Sequence, residues 1–322
     1  MKLTLADLRA LSVGAVDFEE KNGILFFYKC TKKQREVWLG QSAELGHRAC
    51  VTTGVRLDFH TDARSLTFVA DSEGKYELFV DDLLRKQFWV GTDIPCGEPA
   101  HFDLCDALGN EKESYRVTLH FPNHKVGSLS LVELEGATYA HRHEFDCKIL
   151  MIGDSITQGW NAKYNSLSYA HHVSRFFNAD IVDQGIGGAY FLPESFDRID
   201  FDPDIVMVAY GTNDFSKRKT YESLREYAGG HLDLIAEEYR DKKIFVLSPI
   251  WRGKREGKAM GSFEGCRAVI AEEAEKRGMI HIDGLALVPP IPEFFADEYL
   301  HPNDMGFSLY ALNLIREMQK YL

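Results

Sequence analysis

The feature that most constrains this chain is a change of hydrophobic period near Phe145. Before it, from about residue 23 to 140, apolar and polar residues alternate in short segments: Val55-Arg56-Leu57-Asp58-Phe59-His60, Ser65-Leu66-Thr67-Phe68-Val69, Tyr76-Glu77-Leu78-Phe79-Val80 and Tyr115-Arg116-Val117-Thr118-Leu119-His120-Phe121. A period of two puts successive side chains on opposite faces, which is the pattern of antiparallel strands with one buried face. Turn clusters such as Asp71-Ser72-Glu73-Gly74 separate them and helical spacing is nearly absent, so this half predicts a β-sandwich of jelly-roll type.

After Phe145 the alternation gives way to continuous apolar runs: Lys148-Ile149-Leu150-Met151-Ile152, Ile181-Val182, Ile205-Val206-Met207-Val208-Ala209, Ile244-Phe245-Val246-Leu247 and Met279-Ile280-His281-Ile282. Between them lie segments of helical spacing, at about 167–178, 221–239, 262–277 and 303–321. Apolar strands separated by helices predict a parallel sheet covered on both faces. With 322 residues the chain exceeds the size at which one core stops growing, and the change of period predicts two domains, 1–145 and 146–322.

Composition removes several classes of function. Lys and Arg total 37 against 49 Asp and Glu, and a net charge of −12 repels a phosphate backbone, so nucleic acid is not an expected partner. The basic run Lys254-Arg255-Glu256-Gly257-Lys258 reads as a solvated loop. No apolar run approaches the length of a membrane span, so no membrane partner is expected. Asp7 and Arg9 interrupt the stretch that a secretion signal would need, and the six cysteines form no C-x-x-C pair. The expectation is a cytoplasmic protein with free thiols.

In a doubly wound sheet, ligands bind beyond the carboxyl ends of the strands. After the first run comes Gly153-Asp154-Ser155-Ile156-Thr157-Gln158-Gly159-Trp160, where a serine at a strand-to-helix turn exposes its hydroxyl among backbone N–H groups. After the second comes Asp183-Gln184-Gly185-Ile186-Gly187-Gly188-Ala189-Tyr190, in which glycines allow close backbone approach. After the third, Gly211-Thr212-Asn213-Asp214 offers a neutral side-chain donor. Before the last helix stands Asp297-Glu298-Tyr299-Leu300-His301-Pro302-Asn303. Each piece alone reads equally as a cap, a turn or a surface histidine. Together, in this order and at these places, they point to nucleophilic acyl transfer.

From about residue 148 to 322 the chain resembles the SGNH (GDSL-like) hydrolase superfamily. The resemblance implies a flavodoxin-like three-layer α/β/α domain with a parallel sheet, here preceded by the β-sandwich, and a serine esterase that uses neither cofactor nor metal. It implies Ser155 as nucleophile, His301 as base and Asn213 as side-chain donor of the oxyanion hole, with the Ser155 N–H beside it. In the second block the family's oxyanion glycine stands five residues beyond an Asn. Here Asp183 holds the Asn place, which points to Gly188 rather than Gly185. The family places an Asp three residues before the histidine, where this chain has Glu298, with Asp297 one residue earlier. The third member is therefore open between Asp297 and Glu298; a one-residue loop bulge costs little and favours Asp297. Some jelly-roll-bearing relatives, similar to acetyl-carbohydrate esterases, use no side-chain acid.

The expected reaction is attack of Ser155 on an ester carbonyl, with His301 moving the proton and water releasing the acyl group. His120 and His124 have the spacing of a helical zinc pair, but Pro122 lies between them at a strand end, so they read as turn residues. Trp160, Tyr164 and Tyr190 lie near the expected pocket and can stack on a sugar. The N-terminal module points to a small O-acetylated saccharide as the ester substrate, with self-association left open. The alternatives are a lipid or thioester acylhydrolase and, from another class, a carbohydrate-binding protein without turnover.

Overall fold

The computed structural model describes residues 1–106 and 108–322. Chain contacts divide it into two compact units. The first comprises Met1–Cys30, Cys50–Phe145 and Tyr164–Ser166; the second comprises Thr31–Ala49, Asp146–Lys163 and Leu167–Leu322. The single boundary between residues 145 and 146 read from the sequence is thus crossed by two short segments.

The first unit opens with α1 (Leu5–Leu11), started by a reciprocal capping box between Thr4 and Asp7. It then holds β1 (Ser12–Val13), β2 (Asp17–Lys21), β3 (Ile24–Tyr28), β4 (Arg56–Thr61), β5 (Ser65–Ala70), β6 (Gly74–Val80), β7 (Leu83–Val90), β8 (Pro99–Asp103), β9 (Tyr115–His120), β10 (Ser128–Glu135) and β11 (Ala140–Arg142). These form two antiparallel sheets, β1-β4-β9-β6-β7 with β11 also on β4, and β2-β3-β10-β5-β8. Their inward residues make one core, in which Phe27 of one sheet meets Phe121 edge-to-face at 4.8 Å and Phe68 lies 5.8 Å from Phe88 of the other.

Alternation alone places Arg56, Asp58 and Glu77 on the solvent side, yet all three are buried. The reason is pairing. Asp58 accepts from Arg56 at 3.0 Å and from Arg116 at 2.9 Å; burial pushes its carboxyl up, and the two guanidiniums outweigh that and hold it below the usual range. Glu77 accepts from the N–H of Ser166 at 2.9 Å and from its hydroxyl at 2.6 Å, while Asn165 donates to Phe121 O at 3.1 Å. Those bonds are why residues 164–166 pack with the β-unit.

The second unit begins with α2 (Lys32–Gln41) and α3 (Ala43–Cys50), two helices that the alternating pattern of this half did not predict. α2 is positioned by polar contacts more than by an apolar stripe, whereas α3 buries Leu45 and Ala49 along one face. Thr31 and Gln34 form a capping box, and the Gln34 amide exchanges two 3.0 Å bonds with Gln184. The signal was present in Thr31-x-x-Gln34, a capping spacing that hydrophobic period does not register.

There follow β12 (Cys147–Gly153), α4 (Tyr169–Phe176), β13 (Ala179–Gly185), β14 (Ile205–Ala209), α5 (Thr212–Lys217), α6 (Tyr221–Glu238), β15 (Lys243–Leu247), α7 (Phe263–Glu275), β16 (Ile280–Ile282) and α8 (Asp304–Met318). The strands pair in parallel in the order β13-β12-β14-β15-β16. This is the flavodoxin-like order, with its switch point at β12. Ile149 and Met151 of β12 share a core with Tyr169 and Val173 of α4 and with Phe307 and Leu314 of α8. The alternate residues Leu150 and Ile152 face the other side of the sheet, where α6 packs against α7. The result is a three-layer α/β/α unit. No described helix is long and apolar enough to cross a membrane.

Phe27 is fully buried and bridges the two antiparallel sheets. Phe27→Ala is expected to destabilise the first unit by about 3–5 kcal/mol in urea titrations, because a phenyl-sized cavity is left between sheets that collapse only in part. A loss under about 1 kcal/mol would show that this aromatic contact does not hold the sheets together.

Candidate active site

The site is assembled at the carboxyl ends of β12, β13 and β14, beside the switch point. β12 ends at Gly153 because nothing larger fits: a Cβ there would lie 2.1 Å from Thr157 Oγ1 and 3.0 Å from Ala209 O. The chain then turns tightly, with Gln158 N–H donating to Asp154 O at 3.0 Å and Trp160 N–H donating to Ser155 O at 2.8 Å. Asp154 is buried and accepts the Ile156 N–H at 2.9 Å. Burial pushes its carboxyl up to about 7, against that bond.

On this turn the Ser155 hydroxyl lies 2.9 Å from His301 Nε2. His301 stands just before Asn303, the N-cap of α8, whose side chain accepts the Gly306 N–H at 3.0 Å. The other ring nitrogen, Nδ1, donates to Asp297 Oδ2 at 2.7 Å, which fixes the tautomer and leaves Nε2 to accept from the serine. Asp297 is held in turn. Its Oδ1 accepts the N–H groups of Tyr299 at 3.2 Å, Leu300 at 2.8 Å and His301 at 3.0 Å. Burial raises its carboxyl, and these bonds outweigh that and bring it below the usual range.

Of the two carboxylates the sequence left open, Asp297 is the one against the ring. Glu298 is exposed, with φ at +65°, so it is the residue that bulges outward and lets its neighbour reach His301. His301 itself is held below the usual imidazole value of 6.5, chiefly by burial, with the nearby charges of Arg252 and Arg48 acting the same way and Asp297 opposing them.

The second strand end supplies backbone donors. Gly185 packs so closely on the serine turn that a Cβ would meet Gln158 N at 2.2 Å, and its N–H is already spent on Asp183 Oδ1 at 2.8 Å. Ile186 N–H goes to Gly153 O at 2.9 Å, Gly187 N–H to Gln158 Oε1 at 2.6 Å and Ala189 N–H to Ile186 O at 2.9 Å. Among the described residues the Gly188 N–H, at φ +87°, has no such partner, and neither has the Ser155 N–H. From the third strand end, Asn213 Nδ2 donates one hydrogen to Ala189 O at 2.9 Å, leaving its second available.

The aromatic residues differ in their placement. Trp160 lies 6.3 Å from the His301 ring and carries the Arg48 guanidinium over its face at 4.5 Å. Tyr190 donates to Gln41 at 2.9 Å and carries the Lys217 ammonium at 4.2 Å. Tyr164 belongs to the first unit, where Lys75 sits 5.4 Å from its ring. Sequence reasoning missed Arg48, Gln158 and Lys217. Gln158 was in view within the serine block, whereas Arg48 lies in a half read as β-structure. Among the described residues no group of three or more His, Cys, Asp or Glu is placed to hold a metal ion.

Residues 151–309, which contain every element of this geometry except Arg48 and Gln41, match the family model of GDSL-like lipases and acylhydrolases. Over that stretch, just under half of the chain, the sequence is similar to GDSL-like acylhydrolases. That similarity supports a carboxylic ester hydrolase. No curated protein matches the chain. Among solved structures, the fold is similar to a salicylyl-acyltransferase from a tetracycline biosynthetic pathway, at 19% identity and a TM-score of 0.85, covering 99% of this chain and 97% of that one. It is also similar to a family two carbohydrate esterase from Clostridium thermocellum, at 19% identity and a TM-score of 0.62, covering 84% and 93%. A third is an acetyl xylan esterase from the rumen bacterium Butyrivibrio proteoclasticus, at 15% identity and a TM-score of 0.61, covering 84% and 91%.

This geometry can move one proton from a hydroxyl to an imidazole while a carboxylate keeps the ring aimed. Asp297→Asn is expected to lower the rate on an ester by about a thousandfold or more, since the amide favours the wrong imidazole tautomer, whereas Glu298→Gln stays near wild type. Equal losses in both variants, or none in either, would remove Asp297 from that role. The pH profile carries a second test. The ring works neutral and its pKa is depressed, so kcat/KM on an uncharged ester should fall with acid about a midpoint below pH 6.5. A midpoint at or above pH 7 is incompatible with this environment.

Proposed function

We propose that the protein hydrolyses O-acetylated saccharides through an acyl-enzyme formed at Ser155. The observation that carries the reading is the continuous chain from the Ser155 hydroxyl through His301, 2.9 Å away, to Asp297, 2.7 Å beyond. Ser155 attacks the ester carbonyl as its proton passes to His301 Nε2. The imidazolium, steadied by Asp297, returns that proton to the leaving alkoxide, and water then attacks the acyl-enzyme by the same route.

The oxyanion hole in this reading consists of the Ser155 and Gly188 N–H groups and the second Nδ2 hydrogen of Asn213. Among the described residues both N–H groups lack a partner, as a preformed hole requires, because a donor spent in the ground state has nothing to offer the transition state. The choice of an acetylated sugar leans on the carbohydrate esterases among the fold relatives and on the Trp160 ring beside His301. In this reading the cytoplasm is the compartment, and the substrate is a small molecule.

A second reading is acyl transfer to an acceptor other than water. It is favoured by the salicylyl-acyltransferase, whose fold covers nearly all of this chain. Both readings share the acyl-enzyme and differ only in what resolves it.

Ser155→Ala is expected to abolish ester turnover and fluorophosphonate labelling while leaving the folded state intact, since the hydroxyl lies on a turn and fills no core. Asn213→Ala should lower kcat by about 100- to 1000-fold with a smaller change in KM. Nitrophenyl acetate should be cleaved faster than long-chain esters, and acetylated sugars should release acetate. Product analysis with an added alcohol separates hydrolysis from transfer. Full turnover by Ser155→Ala, or a preference for long acyl chains, would refute the corresponding part of the proposal.

A further inference from the structure

Three successive carbonyls on the glycine turn are each held by a side chain from a different place in the second unit. Gly187 O accepts from Arg48 Nη1 at 2.9 Å, Gly188 O from Lys217 Nζ at 2.9 Å and Ala189 O from Asn213 Nδ2 at 2.9 Å. The first of these has a particular consequence. Gly187 C=O and Gly188 N–H belong to one peptide unit, and all peptide bonds among the described residues are trans. In a trans peptide the two groups point in opposite directions within one plane, so whatever fixes the carbonyl also fixes the direction of the N–H.

We propose that Arg48, on α3, is a positioning residue that aims the Gly188 N–H at the developing oxyanion by anchoring the Gly187 carbonyl. The inference rests on the acyl-enzyme reading above and deepens it. Arg48 is built for the task. Its guanidinium lies over the Trp160 ring at 4.5 Å and pairs through Nη2 with Glu44 one turn earlier on the same helix, so the fork has little freedom. A Cβ on Gly187 would sit 3.0 Å from Arg48 Cδ, and one on Gly188 would sit 3.1 Å from Nη1. A side chain at either position would press on the guanidinium, so both glycines favour this close approach. A cationic donor on the carbonyl also polarises the shared peptide and strengthens its N–H as a donor. Gly188 stands at φ +87°, a conformation that glycine adopts without steric cost.

The anchor comes from residues 31–49, outside the 151–309 stretch that matches the family. The second unit thus completes its oxyanion turn with a helix encoded more than a hundred residues earlier in the sequence.

The test uses the 322-residue chain and nitrophenyl acetate. Arg48→Ala and Arg48→Lys are expected to lower kcat by about 10- to 100-fold with KM changed less than about threefold, because the lost alignment matters only once the oxyanion forms. The pH profile separates charge from geometry. Arg48 is one of the charges that depress His301, so Arg48→Ala should move the acid limb to higher pH, while Arg48→Lys keeps the limb and loses kcat. Millimolar guanidinium should restore part of the rate to Arg48→Ala and none to Arg48→Lys. If Arg48→Ala fails to fold, Arg48→Lys decides the matter by the same kcat reading. Wild-type kcat in the variants, or a loss confined to KM, would overturn the proposal and leave the Ser155 mechanism standing. Absence of ester turnover in the wild type would strike the mechanism instead.

Discussion

Parallel pairing of β12 with β13 on one side and β14 on the other is the constraint on which the rest of the site depends. It brings three chain ends, at Gly153, Gly185 and Ala209, level with one another across adjacent strands. Level ends are useful only if the loops that leave them can touch, and side chains would keep them apart. Two glycines remove that obstacle. Gly153 lets Thr157 fold back on the end of its own strand, and Gly185 lets the backbone of Thr157 and Gln158 lie directly on the end of β13. The contact draws the serine turn and the glycine turn together, and Gln158 then stitches them by accepting the Gly187 N–H.

Within that frame the distribution of hydrogen bonds is selective. Nearly every amide between Gly185 and Ala189 is committed to a neighbour, which makes the turn rigid, and the exception is Gly188. Rigidity and an unspent donor are two sides of one arrangement, because a loop with several free amides would solvate and move. The same division holds for the histidine. Its Nδ1 is committed to a carboxylate that is itself gripped by three backbone N–H groups, and its Nε2 is left for the hydroxyl. In the proposed mechanism the group left for chemistry is, in both cases, aimed by the bonds its neighbours make.

The sequence displayed the architecture through periodicity and the chemistry through position. The shift from period two to continuous apolar runs near Phe145 reflects real differences in which faces are buried, so the antiparallel and parallel sheets were both legible. Ser155, Asn213 and His301 stood out by position, after a strand or before the last helix, whereas Gly188 was picked from its run of glycines only through the family resemblance; their roles belong to the proposal. What escaped was not carried by hydrophobic period. The helices α2 and α3 are attached through Thr31, Gln34 and Arg48, whose contacts lie far away in the chain. Asp297 and Glu298 differ through a backbone φ of +65° at Glu298, which no residue type there announces.

That last point shows how a departure from a motif can preserve its geometry. Moving the acid from three to four residues before the histidine lengthens the loop by one residue, and an uncompensated insertion would swing the carboxylate away from Nδ1. Here the extra residue takes the left-handed conformation with its side chain in solvent. The Asp297 Oδ1 closes the loop by accepting the next three available N–H groups, from Tyr299 to His301. A longer Glu at 297 would place its oxygens beyond those amides. The short side chain is what lets one oxygen organise the backbone while the other reaches the ring. The carboxylate thus has two tasks, and the loop that carries it is shaped by the first so that the second can be met.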